Sequence, residues 1–433
     1  MSLTTIGILG IIVLVILLYS KMPVGFAMGF LGFSGFCYVV NFNAGLNLLI
    51  RDVWDVFSSY SLTVIPLFVF MGQVAFHAGI SRRLYDSAYV LLGHRRGGLA
   101  MTTVGACAGF SAICGSTNAT AATMATVTLP EMKRYGYDMG LATGTVAAAG
   151  SLGILIPPSV IFIVYGILTE QSIGKLFAAG IFPGILLCGL FLATIYLQVL
   201  INPSLAPPGP KTTIKEKIHS FAGVLEALLL FALVMGGIFF GIFTPTEAAA
   251  IGAFITLLIA ISRRQLDWQG FVQSLADTIK IGCMIMVIVT GAVIFGHFMA
   301  ITRLPFELAG WVGSLPLSRH AVMGVIILVY LLGGCFMDAL AMIMLTIPIF
   351  FPVVMTLGFD PIWFGVVIVL ITEMGVITPP VGVNVYVVYG VAKDVPLEAI
   401  FKGVLPMLAA LLLCNLLLIL FPQIALFLPG LMP

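Results

Sequence analysis

Two short stretches place prolines and glycines where an uninterrupted apolar helix is expected. They read GILIPPSV at residues 153–160 and GVITPPVG at 375–382, 222 residues apart. Proline has no backbone N–H and leaves carbonyls of the preceding turn unpaired, and glycine lowers the cost of unwinding. In hydrocarbon the freed carbonyl oxygens need a partner, and a hard cation is one. The N–H groups at the start of the following half-helix suit an anion. The alternative is a simple kink satisfied by neighbouring helices.

A third stretch, CGSTNAT at residues 114–120, carries complementary chemistry. Gly115 permits a turn, and Ser116, Thr117 and Asn118 favour the first position of a helix. Their side-chain oxygens are also suited to a cation. Two other interpretations are open, namely helix packing through small residues and an exposed turn between two full spans.

The second half of the chain offers carboxylates at matching places. GGCFMDALA at 333–341 places Asp338 where the first half has Asn118. A carboxylate inside an apolar segment is usually functional or paired, so a direct role at a cation and a structural hydrogen bond are both open. Glu373 precedes the second Pro-Pro stretch and is a candidate to line it. For Glu226, His77 and His297 we expect interhelical contacts, and for Glu247 a helix cap.

The composition indicates a membrane protein that crosses the bilayer many times. Of 433 residues, 61% are hydrophobic and 8% are charged, and the mean hydropathy is +1.18. Soluble domains carry roughly a quarter charged residues. The net charge of +2 suggests no nucleic-acid partner. The seven cysteines lie in apolar segments without a CxxC pair and are expected to be buried. Because no His/Cys cluster, nucleophile elbow or phosphate loop appears, we expect neither an enzyme nor a cofactor.

The chain reads as two related halves, residues 1–200 and 221–433, joined by a Pro-rich and charged cytoplasmic linker at 201–220. Besides the Pro-Pro stretches, GSTNATAATM at 115–124 aligns with CFMDALAMIM at 335–344. Five such matches fall in the same order at nearly one offset, which indicates a duplication.

Each half is predicted to contain five spans and one additional apolar region. The predicted spans are 4–20, 22–41, 61–80, 139–168 and 178–200, then 222–242, 247–262, 276–300, 362–391 and 404–428. The additional regions, 97–130 and 320–352, are predicted to be re-entrant hairpins, although pairs of full spans would give the same sidedness. The segments 82–96 and 263–280 are candidates to lie flat at the membrane surface.

Basic residues predict the orientation. With this arrangement fifteen of the nineteen Lys and Arg residues fall on one face, which we assign to the cytoplasm. The exceptions are Arg51, Lys175, Arg303 and Arg319. Five crossings per half place the second half upside down, so the sequence predicts an all-α polytopic membrane protein with an inverted repeat. The broken helices, 139–168 and 362–391, would meet the hairpin tips. Carbonyl ends there suit sodium ions and amide ends suit a carboxylate or sulfonate, which is a basis for symport.

These stretches resemble the large membrane subunit, or DctM-type permease, of tripartite ATP-independent periplasmic (TRAP) transporters. The resemblance rests on MPVGFAMG (22–29), GSTNATAATMATVTLPEM (115–132), GSLGILIPPS (150–159), GIFTPTEAAAIGA (241–253) and ITPPVGVNVYV (377–387). It implies an elevator-type fold and sodium-coupled uptake of an organic acid across the bacterial inner membrane. It also implies two partners, a small four-helix membrane subunit and a periplasmic solute-binding protein.

The resemblance also implies site residues. The first sodium site would involve Ser116, Asn118, Gly150, Gly153 and Pro157. The second would involve Gly334, Asp338, Thr378, Pro379 and Gly382. Substrate would lie between them, near Thr117, Ser159 and Asn384. The second hairpin tip departs from the pattern because CFMDAL lacks the Ser-Thr-Asn run, so backbone carbonyls are expected to dominate the second sodium site.

Other functions are weighed against this one. A proton-coupled organic-anion transporter of related fold that works without a binding protein is the main alternative. A channel would need a continuous polar lining, which no span shows, and an intramembrane hydrolase would use Asp338 and Glu373. The sequence leaves the substrate open among C4-dicarboxylates, sialic acid, other sugar acids, keto acids and small sulfonates.

Overall fold

The computed structural model describes residues 2–20, 22–209, 213–314 and 316–432, and within these ranges it consists of helices and connecting loops without strands. The first half contains α1 Leu3–Tyr19, α2 Val24–Val39, α3 Phe42–Phe57, α4 Val64–His77, α5 Ile80–Leu92, α6 Gly98–Cys114, α7 Thr117–Arg134, α8 Met139–Ala149, α9 Leu152–Leu155, α10 Val160–Leu168 and α11 Ile173–Ile201. The second half contains α12 Ile214–Phe239, α13 Pro245–Ser262, α14 Trp268–Thr302, α15 Leu304–Ser314, α16 Arg319–Gly334, α17 Ala339–Thr356, α18 Pro361–Val376, α19 Val383–Val391, α20 Leu397–Leu420 and α21 Gln423–Leu426.

Two helical hairpins occupy the regions in which the sequence predicts them. In the first, Ser116 separates α6 from α7 and caps α7 by accepting a hydrogen bond from the Ala119 N–H at 3.4 Å. In the second, Asp338 caps α17 by accepting from the Leu340 N–H at 3.1 Å. Ser116 and Asp338 differ by two positions in the alignment of the halves. The second arm of each hairpin therefore begins at nearly the same place.

Both Pro-Pro stretches interrupt helices. The first break separates α9 from α10 and bends the segment by 42°. The second lies between α18 and α19. The Pro157–Pro158 and Pro379–Pro380 bonds are both cis. Proline cannot donate to the helical ladder, so each helix stops before its pair and restarts after it.

Several helices are long and apolar enough to cross a bilayer. Within the described ranges five single helices meet this test by length and composition, and the bent pairs α3–α4 and α8–α10 raise the number to seven. The single helices are α11, α13, α14, α17 and α20. The predicted spans at 4–20, 22–41 and 222–242 correspond to apolar segments of fewer than 18 residues.

Three features differ from the sequence-based expectation. The amphipathic helix α3 was not predicted, because Arg51, Asp52 and Asp55 interrupt its apolar pattern. Within the segment 263–280, residues from Trp268 onward form the start of α14, a single helix of 35 residues, and its position at the membrane surface stays a prediction. Helix α12 begins at Ile214, inside the predicted linker. Lys21 and Lys211, which belong to the predicted basic face, lie outside the described residues.

The interhelical contacts expected for the embedded ionisable residues are present. Glu226 on α12 accepts a hydrogen bond of 3.1 Å from Arg83 on α5 and also pairs with Arg263 at the end of α13. His77 lies 3.5 Å from Asp277, and His297 lies 3.4 Å from Asp52.

Two carboxylates near helix ends have polar partners. Glu247 forms a capping box with Thr244, as predicted, and accepts a 2.8 Å hydrogen bond from the Thr244 N–H. Asp394 pairs with Lys133, which lowers the pKa of that carboxyl. The second pair ties the end of the first hairpin to the loop that follows α19.

Helices α2 and α14 pack backbone against backbone. A Cβ added at Gly25 would lie 2.9 Å from the Cα of Ile288, and one added at Gly32 would lie 2.7 Å from the Phe295 nitrogen. Small residues at this spacing let two helices approach closely in a membrane.

Candidate functional site

The tip of the first hairpin packs directly on the first helix break. Gly115 turns the chain with φ +64°, and its Cα faces the carbonyl of Pro158. A Cβ added at Gly153 would lie 2.7 Å from the Ser116 carbonyl oxygen and 2.9 Å from the Thr117 nitrogen. Glycine is therefore needed at position 153 because the two backbones meet without a side chain between them.

The second hairpin makes a similar contact through Gly375, the residue equivalent to Gly153. A Cβ added at Gly375 would lie 2.5 Å from the Cα of Gly334 and 2.9 Å from the Cys335 nitrogen. The Val381 N–H in the break donates a 3.3 Å hydrogen bond to the Cys335 carbonyl. Each tip thus contacts the break of its own half, through glycines that the 222-residue offset relates.

The two halves meet at the same place. Thr117 on α7 donates a 3.0 Å hydrogen bond from its hydroxyl to Oε1 of Glu373 on α18. The side chain of Asn118 lies beside Asp338, the residue with which it aligns. The Asn384 amide on α19 donates a 3.2 Å hydrogen bond to the Ala147 carbonyl on α8. Polar side chains therefore bridge the halves at the tips.

A cavity of about 710 Å³ lies against these tips. One wall is formed by α2 and α14, and α4 contributes Val69 and Gln73. The facing wall is formed by the two hairpin tips, the first turn of α10 and the residues that flank the second break. A volume of this size is typical of a small-molecule site.

The cavity carries few charged groups. Among the described residues that line it, Asp338, Glu373 and Lys280 are the charged ones. Asp338 is open to the cavity, whereas Glu373 is 1% exposed. Lys280 lies on α14, in the wall opposite the hairpin tips, and supplies a positive charge. Both signs of charge are therefore available to a bound ion and a bound acid.

The structure brings only part of the predicted site to the cavity. Four predicted residues line it, namely Ser116, Thr117, Asn118 and Asp338. Ser159 is fully buried, caps α10 and accepts a 3.3 Å hydrogen bond from the Phe162 N–H, and Asn384 is also fully buried. Their roles toward substrate stay predictions.

The remaining predicted residues form the breaks and their contacts with the tips. Gly150 ends α8 against the Thr117 carbonyl, and Gly334 ends α16 against that of Thr372. Thr378 donates its hydroxyl to the Met374 carbonyl at 2.5 Å. Pro157, Pro379, Gly153 and Gly382 lie in or beside the two breaks. Their roles at sodium also stay predictions.

Some cavity residues were not predicted from the sequence. Lys280 was counted only as part of the basic face, and Gln73 was not considered. Cys283 was expected to be buried, but it is exposed and lines the cavity.

The site has the ligand chemistry of a hard cation rather than a transition metal. Within the described residues no group of three His, Cys, Asp or Glu side chains is placed to hold a metal. The polar groups at the tips are hydroxyl, amide and carboxylate oxygens, which hard cations prefer.

Comparison with known proteins identifies the family. Residues 11–424 match the family described as "Tripartite ATP-independent periplasmic transporter, DctM component". The chain is 37% identical to the C4-dicarboxylate TRAP transporter large permease protein of Pseudomonas aeruginosa, over 92% of this chain and 93% of that protein. It is 33% identical to the sialic acid TRAP transporter large permease protein of Vibrio cholerae, over 96% of each.

A solved structure shares the fold. The Alcanivorax borkumensis YdaH transporter superposes with a TM-score of 0.64 at 18% identity, covering 90% of each chain. At that identity the likeness concerns the fold alone. The family match covers nearly the whole chain, and the relatives are named as large permease proteins of TRAP transporters. The chain therefore belongs to the DctM family of large permease subunits of TRAP transporters.

Proposed function

We propose that this permease imports an organic acid across the bacterial inner membrane together with sodium ions. The carboxylate or sulfonate of the substrate would bind beside the cations, so that occupancy by one favours occupancy by the other. The hairpin tips, the helix breaks and the cavity between the two walls are the parts that perform this step.

One observation carries the proposal, namely the contact of each hairpin tip with the break of its own half. The Gly153–Ser116 and Gly375–Gly334 contacts bring helix ends together beside the cavity. Carbonyl groups at such ends suit a cation, and N–H groups suit an anion. Discontinuous helices inside a membrane are the usual place of ion and substrate sites in secondary transporters.

The proposed transport movement is of the elevator type. The wall of α2, α4 and α14 would stay fixed while the hairpin wall moves across the bilayer with its ions and substrate. The halves would be arranged as an inverted repeat, which relates the two tips and the two breaks.

The relatives suggest the substrate class and the partners. Two of them are named for C4-dicarboxylates and for sialic acid, which are both carboxylates. A tripartite system has two further components, which we propose are a small membrane subunit and a periplasmic solute-binding protein that delivers the acid.

Uptake by proteoliposomes tests the proposal. The permease is reconstituted with its small subunit, and labelled acid is added with the solute-binding protein. We expect accumulation when sodium is high outside, and none with an equal potassium gradient. Accumulation driven by a proton gradient alone, or without the binding protein, would instead support the proton-coupled alternative.

A further inference from the structure

Glu373 has one oxygen that the protein leaves without a partner. Its Oε1 accepts the hydrogen bond from Thr117, but Oε2 has no hydrogen-bond partner among the described residues. The side chain is 1% exposed and lines the cavity. A buried carboxylate oxygen without a donor is costly, so this position calls for a positively charged or donating ligand.

A second unpartnered oxygen lies at the tip of the first hairpin. Oδ1 of Asn118 is buried and has no hydrogen-bond partner within the described ranges. Asn118 follows Thr117, which is bonded to Glu373, and its side chain contacts Asp338. The two acceptors therefore belong to one cluster, and they line the same cavity.

This cluster lacks nearby positive charge. Among the described residues that line the cavity, Lys280 is the cation, and it lies on α14, across the cavity from the tips. Two carboxylates and an amide oxygen without a compensating group match the oxygen ligands that hard cations prefer. A transition metal is not favoured because the cluster lacks nitrogen and sulfur ligands.

We propose that Glu373 and Asn118 bind a sodium ion between the two halves, through Oε2 and Oδ1 and beside the Asp338 carboxylate. This inference rests on the proposed sodium coupling and adds Glu373 to it. The resemblance places Asn118 and Asp338 in two separate sodium sites, one in each half, whereas the site proposed here joins both residues to Glu373 and links α7 to α18. A cation bound there attracts an organic anion, so we expect sodium to favour substrate binding.

Sodium binding by the purified permease in nanodiscs provides the test. Thermal unfolding is measured at rising sodium chloride, with potassium chloride holding the ionic strength constant. We expect Glu373→Gln to raise the sodium concentration for half-maximal stabilisation about tenfold, equivalent to about 1.4 kcal/mol of lost ion affinity. Glu247→Gln, which changes an exposed helix cap in the same way, is expected to match the wild type.

Infrared spectroscopy of the wild type keeps the proposal testable if Glu373→Gln does not fold. Replacing potassium by sodium is expected to shift an ionised carboxylate band, and Glu373→Asp is expected to alter that shift. A protonated carboxyl band that sodium does not change would overturn the proposal and indicate a proton at Glu373. An unchanged sodium curve in Glu373→Gln would also overturn it.

The outcomes separate this inference from the proposed function. A wild type that neither binds sodium nor needs it for uptake removes the sodium coupling itself. A wild type that depends on sodium, with a Glu373→Gln variant that depends on it equally, removes only the site at Glu373.

Discussion

Thr117 and Glu373 are joined by a 3.0 Å hydrogen bond although 256 positions separate them in the chain. Thr117 begins the second arm of the first hairpin, and Glu373 lies in the last turn of α18 before the second break. The bond therefore fixes the tip of one half against the broken helix of the other, beside the cavity.

Replacing Thr117 by valine removes this bond with little change in shape. Oε1 of Glu373 then loses its donor in a buried position, and a hydrogen bond to a charged group contributes about 1.5–3 kcal/mol. We expect a lower unfolding temperature and slower uptake in Thr117→Val. Thr117→Ser keeps the hydroxyl and is expected to restore both; equal behaviour of the two variants would contradict the role given to the bond.

Gly153 is expected to tolerate no side chain. A methyl group there would lie 2.7 Å from the Ser116 carbonyl oxygen, and overpacking of this kind costs about 1–3 kcal/mol. We expect Gly153→Ala to lower the unfolding temperature and to reduce uptake.

Gly105 provides the matched control for Gly153. It lies in α6 of the same hairpin, and a Cβ there would have no described neighbour within 4 Å. Alanine is favoured over glycine inside a helix by roughly 0.5–1 kcal/mol, so Gly105→Ala is expected to be neutral or stabilising. Similar losses in both variants would show that the close approach at Gly153 is not the cause.

Cys283 should report the accessibility of the cavity. It is exposed and lines the cavity, whereas Cys107 is fully buried in α6. We expect a small thiol reagent to modify Cys283 and not Cys107, as read by mass spectrometry of the digested protein. Substrate with sodium is expected to slow the reaction at Cys283. Labelling of Cys107 at the same rate would contradict the packing described for α6.

Glu226 is expected to contribute to stability through its two arginines. Its side chain is 9% exposed and binds Arg83 and Arg263, which come from two other helices. Glu226→Ala removes the acceptor of Nη2 of the partly buried Arg83, and we expect a loss of about 1–3 kcal/mol in thermal or denaturant unfolding.

The exposed pair of Arg51 and Asp55 is the control for Glu226. Both side chains are more than half exposed, and such pairs contribute about 0–1 kcal/mol. Asp55→Ala is therefore expected to change unfolding little. A larger effect at Asp55 than at Glu226 would contradict the assignment.

Local chemistry made much of the fold predictable. Pro157 and Pro379 mark the breaks because a proline cannot complete the helical ladder, whatever surrounds it. The hairpin turn at Ser116 follows from its capping chemistry. Helix α3 was not predicted, although in the folded chain it lies against α2 and α14 and buries Gly45, Asp52 and Val56.

The contacts between the two halves could not be predicted from the residues near them in sequence. Glu373 was predicted only to line its own broken helix, because nothing near it in sequence points to Thr117. Lys280 was counted only among the basic residues of the cytoplasmic face. Its position in the cavity depends on the packing of α14 against the hairpin tips, which the sequence around it does not specify.

The glycine-mediated seam between α2 and α14 has a mechanical consequence. Where main chains touch at Gly25 and Gly32 there are no flexible side chains to reorient, so the two helices yield little when pushed apart. A larger residue at position 25 or 32 is therefore expected to push α2 away from α14 and to change the shape of the cavity, which Gly25 and Ile288 line.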